Sequence, residues 1–187
     1  MSFEHISRPI TLAVHDIMGG GGAEDMEADR SKGKGMNYGT RVHRAAEMMA
    51  NGTIVDDDAM EAMPELHYVR KTLRSLPDGA INTETPCALH LEVDGRKVVL
   101  NGNIDLMVVD ADTVRIFDWK TDATTKYRDD YRVQLSVYAQ CARRYYPDKK
   151  VEASIVWLSD EVRSTEKVEI LSEDAIRAMV SKALKDR

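Results

Sequence analysis

Two short motifs in the middle of the chain hold acidic and basic residues that could do chemistry together. The first, GNID, ends in Asp105, and the second, DWKT, contains Asp118 and Lys120. Apolar residues around both motifs predict two strands joined by a tight turn at 110–112. Because the start of one strand lies beside the end of the next in an antiparallel hairpin, we expect Asp105 and Asp118 to meet.

These three side chains could bind a divalent cation and a phosphate group. Lys120 lies two residues after Asp118, so both side chains should point to the same face of the strand. Two carboxylates can hold Mg²⁺ or Mn²⁺, and such a cation can bind a phosphate oxygen and lower the pKa of water. An ammonium group can stabilise charge that develops on the phosphoryl group. Acids and lysines are also common at strand ends, so the trio alone leaves a structural role open.

Four other polar residues could extend this site, although each has an ordinary explanation. His43 belongs to GTRVH at the start of a predicted helix, where a lone histidine is often a core or surface residue. Glu84 precedes the predicted strands and could be a loop acid. Gln134 and Tyr138 lie four residues apart on one face of a later helix, as an ordinary surface pair also would.

The hydrophobic pattern predicts helices on both sides of a β-rich middle. Asp94-Gly95 between two apolar runs is a strong hairpin signal, and Pro64 should interrupt the second helix. This order indicates a mixed α/β fold that is neither doubly wound nor an α/β barrel. The predicted helices cover 38–51, 57–76 and 127–146, with a last helix capped by Ser172, and the predicted strands cover 88–93, 97–100, 103–109, 114–119, 151–158 and 167–170.

Residues 1–37 predict a flexible N-terminal segment or linker ahead of a domain at 38–187. The run Gly19–Gly22 lies in this segment, and glycine runs confer flexibility. Neither of the common phosphate-binding glycine motifs is present, which favours a mobile loop over a phosphate-binding loop.

The composition is that of an ordinary globular domain, with 187 residues of which 43% are hydrophobic and 31% charged. We expect a cytoplasmic protein with no membrane partner, because no apolar run approaches the ~20 residues that span a bilayer and no signal peptide is evident. The net charge of -6 argues against simple electrostatic binding to DNA, although bound cations would offset metal-binding acids. Basic clusters are usually solvated faces, and the chain has two of them: Lys32, Lys34, Arg41 and Arg44, and Lys120, Lys126, Arg128 and Arg132.

Taken in order, these motifs resemble the RecB-type nuclease branch of the PD-(D/E)XK superfamily. That branch carries a G-x-x-[VL]-H helix start, an acid ahead of the strands, then G-x-[IV]-D, D-[YW]-K-T and Y-x-x-Q-L-x-x-Y. Each motif is weak alone, but the ordered set is specific and implies a restriction-endonuclease-like core, with a central mixed β-sheet flanked by helices. The matching segments are GTRVH at 39–43, Glu84, GNID at 102–105, DWKT at 118–121 and YRVQLSVY at 131–138.

The resemblance implies a metal-dependent DNA nuclease, expected to be an exonuclease, that acts in repair, recombination or defence. Asp105, Asp118 and Lys120 would be catalytic. His43, the two aspartates and the main-chain carbonyl of Trp119 would hold Mg²⁺ or Mn²⁺, and a histidine among oxygen ligands suits Mn²⁺. The residues that would support the site or bind the substrate are Glu84, Thr121, Tyr131, Gln134 and Tyr138.

The resemblance also bears on cofactors and partners. AddB-like members bind an iron–sulfur cluster through four cysteines, whereas this chain has only Cys87 and Cys141, so we expect no cluster. In RecB and AddA the nuclease domain follows a helicase motor, and this chain has no P-loop. It would therefore be a free-standing nuclease, or the nuclease domain of a larger helicase–nuclease, acting on single- or double-stranded DNA with ends as the expected substrate.

Two other functions remain open. A catalytically inactive DNA-binding module with a nuclease fold would typically have lost the lysine or an acid, so the presence of Asp105, Asp118 and Lys120 favours activity. A scaffold or interaction domain whose motif match is accidental would be unaffected by substitution of Lys120.

Overall fold

One mixed β-sheet with helices on both faces makes up the fold. The computed structural model describes residues 9–18 and 36–186. The strands are β1 (Ile10–Ala13), β2 (Ala80–Val93), β3 (Arg96–Val109), β4 (Thr113–Lys120), β5 (Lys150–Trp157) and β6 (Ser164–Lys167). The helices are α1 (Met36–Ala50), α2 (Asp57–Ala62), α3 (Glu65–Arg74), α4 (Arg128–Tyr145) and α5 (Glu173–Lys185), and a 3-10 helix at Val14–Ile17 follows β1.

The sheet runs in the order β1-β3-β4-β5-β6, with β2 paired to β3. Strand β3 is antiparallel to β2 and β4, whereas β1 runs parallel to β3 and β4 runs parallel to β5. The helix α4 makes the crossover between the parallel strands β4 and β5, as parallel pairing requires. The expected mixed α/β architecture is confirmed.

The sheet forks along one edge of β3. Strand β2 pairs with the whole length of β3 on the other edge. On the forked edge, β1 pairs with residues 98–101 and β4 pairs with residues 106–109. Residues 102–105, which form the GNID motif, lie between these two partners. The fork therefore opens the sheet where the motif stands.

Two hydrophobic clusters hold the helices to the two faces of the sheet. On the α4 face, α4 and α5 cover the sheet through buried residues that include Leu135 and Ile176. On the α1 face, α1 and α3 do so through Val42 and Leu66. Each large side chain that is fully removed from water contributes roughly 1.5–3 kcal/mol, so these clusters fix the helices firmly against the strands.

Strand β3 is irregular at Asp105. Leu100 and Ile104 pack in the cluster on the α4 face, whereas Leu106 packs on the α1 face. In a regular strand, residues two apart share a face, so the alternation has changed phase between Ile104 and Leu106. Opposite this point, Glu84 of β2 has a φ of 43°, in the left-handed region that non-glycine residues seldom adopt.

Turn and cap signals in the sequence predict several element ends. The hairpin between β2 and β3 turns at Asp94 and Gly95, which have φ values of 51° and 71°. Ser172 caps α5 by accepting a hydrogen bond from the N–H of Ala175 at 3.2 Å. Pro64 lies between α2 and α3 and divides the helix predicted over 57–76. These predictions are confirmed.

Three predictions about strands are wrong. The runs predicted at 97–100 and 103–109 belong to one strand, β3, because polar residues and Gly102 interrupt its apolar pattern only where it passes the fork. Strand β2 begins at Ala80, so Glu84 lies within a strand and is not a loop acid. The strand expected at 167–170 is β6 at Ser164–Lys167, an exposed edge strand with no apolar alternation.

The N-terminal segment is not wholly a linker. Strand β1 pairs with β3, and Leu12 is 1% exposed in the core on the α4 face. Four residues that pair in parallel with a distant strand leave little local pattern, which is why the sequence predicts an irregular segment over 1–37. The run Gly19–Gly22, together with Lys32 and Lys34, lies outside the described residues, and the domain boundary at 37/38 stays a prediction.

Within residues 9–18 and 36–186, no helix is long and apolar enough to cross a membrane.

Candidate active site

Asp105 and Asp118 meet beside the fork in the sheet. Strands β3 and β4 pair as far as Leu106 and Phe117, and the next position in this register brings Asp105 opposite Asp118. Asp105 lies within β3 rather than at its start, but it stands at the end of the pairing with β4. The expected proximity therefore arises from the antiparallel register, as the sequence predicts.

The carboxylate of Asp105 is held by both a side chain and the main chain. Its Oδ2 lies 3.5 Å from Nδ1 of His43 and accepts a hydrogen bond from the N–H of Trp119 at 2.8 Å. Burial would raise the pKa of Asp105, but His43 and the charge of Lys120 hold that pKa below its usual value. Burial conversely would lower the pKa of His43, and Asp105 raises it above the ordinary value. The two groups stabilise each other's charged forms.

Asp118 is buried beside the lysine of the same motif. It is 1% exposed, and its Oδ2 lies 2.7 Å from Nζ of Lys120. The ammonium meets this buried Oδ2 outside ordinary hydrogen-bond angles, so the contact is chiefly one of charge. Burial raises the pKa of Asp118 to about 6, against the opposing effect of the Lys120 charge. The two aspartates thus have pKa values that their surroundings drive apart.

Helix α4 supplies the remaining contacts of Lys120. Its Nζ donates a hydrogen bond to Oε1 of Gln134 at 3.0 Å. The amide of Gln134 in turn donates to the hydroxyl of Tyr138 at 2.8 Å. The ring of Tyr131 lies on another side of Lys120, with its centroid 4.1 Å from Nζ. Spacings of three and four residues on α4 thus bring all three side chains to one lysine.

Two glycines of the motifs allow helices to approach the strands closely. A Cβ on Gly102 would stand 2.5 Å from Cε1 of Tyr138, so a side chain there would displace the ring. A Cβ on Gly39 would stand 3.1 Å from Oγ1 of Thr121, at the end of β4. The first glycine admits α4 to the site, and the second seats the start of α1 against the DWKT motif.

Glu84 joins the site from the neighbouring strand. The pairing of β2 with β3 on either side places it opposite Asp105. Burial and the charge of Asp105 raise the pKa of Glu84, and Glu47 of α1 acts in the same direction. A strained backbone at an acid that faces other acids is a feature of functional sites.

Sequence reasoning missed two further acids. Glu47 lies four residues after His43 on α1, a spacing that could have revealed it. Asp122 follows the DWKT motif directly, is 7% exposed and accepts a hydrogen bond from the hydroxyl of Tyr131 at 2.8 Å. Neither residue belongs to one of the motifs.

The donor chemistry fits a divalent cation. Asp118 offers a buried oxygen whose partner is the Lys120 ammonium, and Asp105 and His43 provide a carboxylate and an imidazole next to it. In the part of the chain that the structure describes, no three His, Cys, Asp or Glu side chains are already grouped as a metal-binding set. The lysine occupies the space beside Asp118 that a cation would share.

Neither cysteine belongs to this set of acids, although Cys87 pairs with Gly102 of the GNID motif across β2 and β3. Cys87 of β2 and Cys141 of α4 are free and buried. Their thiols interact with each other, and this contact together with burial raises the pKa of Cys141.

The two basic clusters of the sequence differ in the fold. Three members of the second cluster pair with acids: Lys120 with Asp118, Arg128 with Glu166 and Arg132 with Glu169. Arg41 and Arg44 of α1 are exposed, and neither forms an ion pair with any residue that the structure describes. Unneutralised positive charge therefore lies on the helix that carries His43.

Comparison with known proteins decides the family. The sequence model of the PD-(D/E)XK nuclease superfamily matches residues 20–186. The chain belongs to this superfamily. The nuclease also resembles an ATP-dependent helicase/nuclease protein of Streptococcus sanguinis strain SK36, with 33% identity over 97 residues. That alignment covers 48% of this chain but only 8% of the relative. The resemblance expected from the ordered motifs is confirmed.

A solved structure shows the same fold. The crystal structure of SSO0001 superposes with a TM-score of 0.56 at 13% identity, and the match covers 98% of this nuclease and 79% of that chain. At this identity the likeness concerns the fold alone.

Proposed function

We propose that the chain is a Mg²⁺- or Mn²⁺-dependent deoxyribonuclease that hydrolyses phosphodiester bonds at the site of Asp105, Asp118 and Lys120. One observation carries the proposal most: Oδ2 of Asp118 is a buried oxygen whose close contact is the Lys120 ammonium. A buried acid of this kind is costly to maintain for stability alone. It is suited to a site that takes up a cation and a phosphate.

His43, Asp105, Asp118 and the main-chain carbonyl of Trp119 would hold the cation. A divalent cation there supplies Lewis-acid stabilisation of the phosphate and makes water a better nucleophile at neutral pH. The hydrogen bond from the N–H of Trp119 orients the carboxylate of Asp105, and His43 steadies it from the other side. These contacts organise the donors before substrate binds.

Lys120 would act on the reacting phosphate. Water adds to phosphorus, the bond from phosphorus to the 3′ oxygen breaks, and that oxygen takes up a proton. The products are a 5′-phosphate and a 3′-hydroxyl. The ammonium of Lys120, oriented by Gln134, stabilises the negative charge that develops on the phosphoryl oxygens. Tyr131 and Tyr138 support this arrangement through their contacts with Lys120 and Gln134, and Thr121 lies where α1 approaches the end of β4.

The substrate is DNA, and two exposed arginines on the helix of His43 are the observation that favours a polyanion. Arg41 and Arg44 lie on the same helix as His43 and have no acidic partner in the described ranges. Phosphate contacts of this type supply most of the sequence-independent affinity for nucleic acid. Because the whole chain carries a net charge of -6, tight binding would need the cation or a partner. We propose cleavage from DNA ends.

The name of one relative supports a proposal for the biological setting. The name of the Streptococcus protein describes a helicase and a nuclease, and the chain spans about 8% of that protein. We propose that the nuclease receives DNA from a helicase, either as a partner or within a longer polypeptide, in cytoplasmic DNA repair, recombination or defence.

The test is cleavage of end-labelled linear DNA and circular DNA, single- and double-stranded, in Mg²⁺, Mn²⁺ or EDTA. We expect cleavage only with metal, and only of molecules that have ends. Asp118→Asn should abolish it. Asp160→Asn, which changes a 71% exposed aspartate in an ion pair with Arg163, is the matched control and should retain full activity.

Each alternative outcome has a distinct meaning. Cleavage of circular DNA would show that the enzyme is an endonuclease and not an exonuclease. Cleavage in EDTA would contradict metal dependence. DNA binding without cleavage in any metal would favour the inactive DNA-binding module.

A further inference from the structure

The ring of Tyr131 forms one wall of the lysine site. Nζ of Lys120 lies 4.1 Å from the ring centroid, which is well within the range of a cation–π interaction. Tyr131 is 1% exposed, and its ring packs against Trp157 with centroids 5.7 Å apart. A ring fixed on its far side in this way cannot follow the lysine, so it limits where the ammonium can lie.

A buried acid holds the other end of the tyrosine. The hydroxyl of Tyr131 donates a hydrogen bond to Oδ2 of Asp122 at 2.8 Å, and Asp122 is 7% exposed. No lysine or arginine within residues 9–18 and 36–186 forms an ion pair with Asp122. This hydrogen bond draws the hydroxyl proton toward the carboxyl group and leaves more electron density on the ring, which strengthens the attraction of the ring face for a cation.

The contacts of Lys120 differ in how strictly they fix the position of its ammonium group. Asp118 attracts the ammonium by charge, and Gln134 accepts a hydrogen bond from it. Neither contact alone fixes the position of a long side chain with four rotatable bonds. The ring acts from a further direction and can hold the ammonium when a cation competes for Asp118.

We propose that Tyr131, oriented by Asp122, is a positioning residue that holds the Lys120 ammonium in place for phosphodiester hydrolysis. The proposal rests on the proposed nuclease function of the same site. It assigns a role to the aromatic face of Tyr131 and to Asp122, an acid outside the catalytic trio. Its structural part, the ammonium held over the ring, can be measured without any activity.

The structural part is tested by NMR of the lysine ε-methylene groups in the intact chain. Ring current should shift the Lys120 ε-protons upfield, with the signal assigned by its loss in Lys120→Arg. Tyr131→Phe keeps the ring and should keep the shift. Tyr131→Met fills the space with a flexible side chain and should abolish it. An unshifted Lys120 signal in the wild type would overturn the proposal.

The functional part is tested by steady-state kinetics on DNA. Tyr131→Met should lower kcat by about tenfold, the size expected from losing a desolvated cation–π contact, with little change in KM. Tyr131→Phe should recover most of this loss. The control is Tyr146→Met, because Tyr146 packs against the same core cluster from beyond the end of α4.

The outcomes separate the two proposals. An inactive wild type with a shifted Lys120 signal would contradict the proposed nuclease function and leave the lysine geometry standing. An active wild type whose kcat is unchanged in Tyr131→Met would overturn the positioning role. An equal loss of kcat in Tyr146→Met would also overturn it, because general loosening of the core would then account for the effect.

Discussion

Gly102 lies directly beneath the ring of Tyr138, so close that a Cβ at Gly102 would stand 2.5 Å from Cε1 of the ring. The hydroxyl of that tyrosine accepts the hydrogen bond from Gln134, and Gln134 accepts one from Lys120. The absence of a side chain at one position of β3 therefore sets the position of the lysine, three contacts away.

We predict that Gly102→Ala lowers both stability and activity. The methyl group would push Tyr138 aside, and overpacking of this kind costs about 1–3 kcal/mol of unfolding free energy. Urea denaturation and DNA cleavage measure the two effects. Gly95→Ala is the control, since Gly95 has a φ of 71° and open space around it. It should lose stability through backbone strain but keep its activity, and equal activity loss in both variants would contradict the account.

Arg41 and Arg44 should govern the salt dependence of DNA binding. Removing either side chain deletes one phosphate contact, so the slope of log affinity against log salt should fall by about 0.7–0.9. Binding is measured in Ca²⁺, which should permit complex formation without cleavage. Arg143→Ala removes an exposed arginine at the far end of α4 and should leave the slope unchanged. An unchanged slope in Arg41→Ala and Arg44→Ala would place the DNA elsewhere.

Glu84 should lower the unfolding free energy of the protein while it supports cleavage. Asparagine tolerates the left-handed backbone better than glutamate, so Glu84→Asn should raise the unfolding free energy by up to about 1 kcal/mol. The same change removes an acid opposite Asp105 and should reduce metal-dependent cleavage. Thr85→Asn, at the next position of β2, is the comparison and should destabilise the strand. Loss of stability in Glu84→Asn would show that the backbone at this residue is not strained.

The sequence predicts the meeting of Asp105 with Asp118 because a hairpin register is local information. The irregular step of β3 at Asp105 could not be read in the same way, since it depends on the fork between β1 and β4. The four-residue strand β1 lies far from its partner in sequence, and its apolar run is too short to show the alternation that predicts a strand. Tertiary packing decides both features.

The candidate site shows a similar division. Spacing alone predicts that Gln134 and Tyr138 share a face of α4, and the resemblance links them to the site. The contact of the Tyr131 ring with Lys120 and the burial of Asp122 depend on how α4 docks on β4, which no spacing rule specifies. The resemblance assigns Glu84 to the site, but its place within β2 is evident only from the pairing with β3.

The most direct test of the nuclease site is cleavage of linear DNA by Lys120→Ala, measured with Mg²⁺ and Mn²⁺. Lys126→Ala is the matched control, because Lys126 lies over the ring of Tyr127 rather than at the acids. We predict that Lys120→Ala binds DNA in Ca²⁺ as the wild type does but cleaves it at least about a hundredfold more slowly, as expected when a group that stabilises transition-state charge is removed. Cleavage by Lys120→Ala at the wild-type rate would contradict the assignment of the active site to Asp105, Asp118 and Lys120.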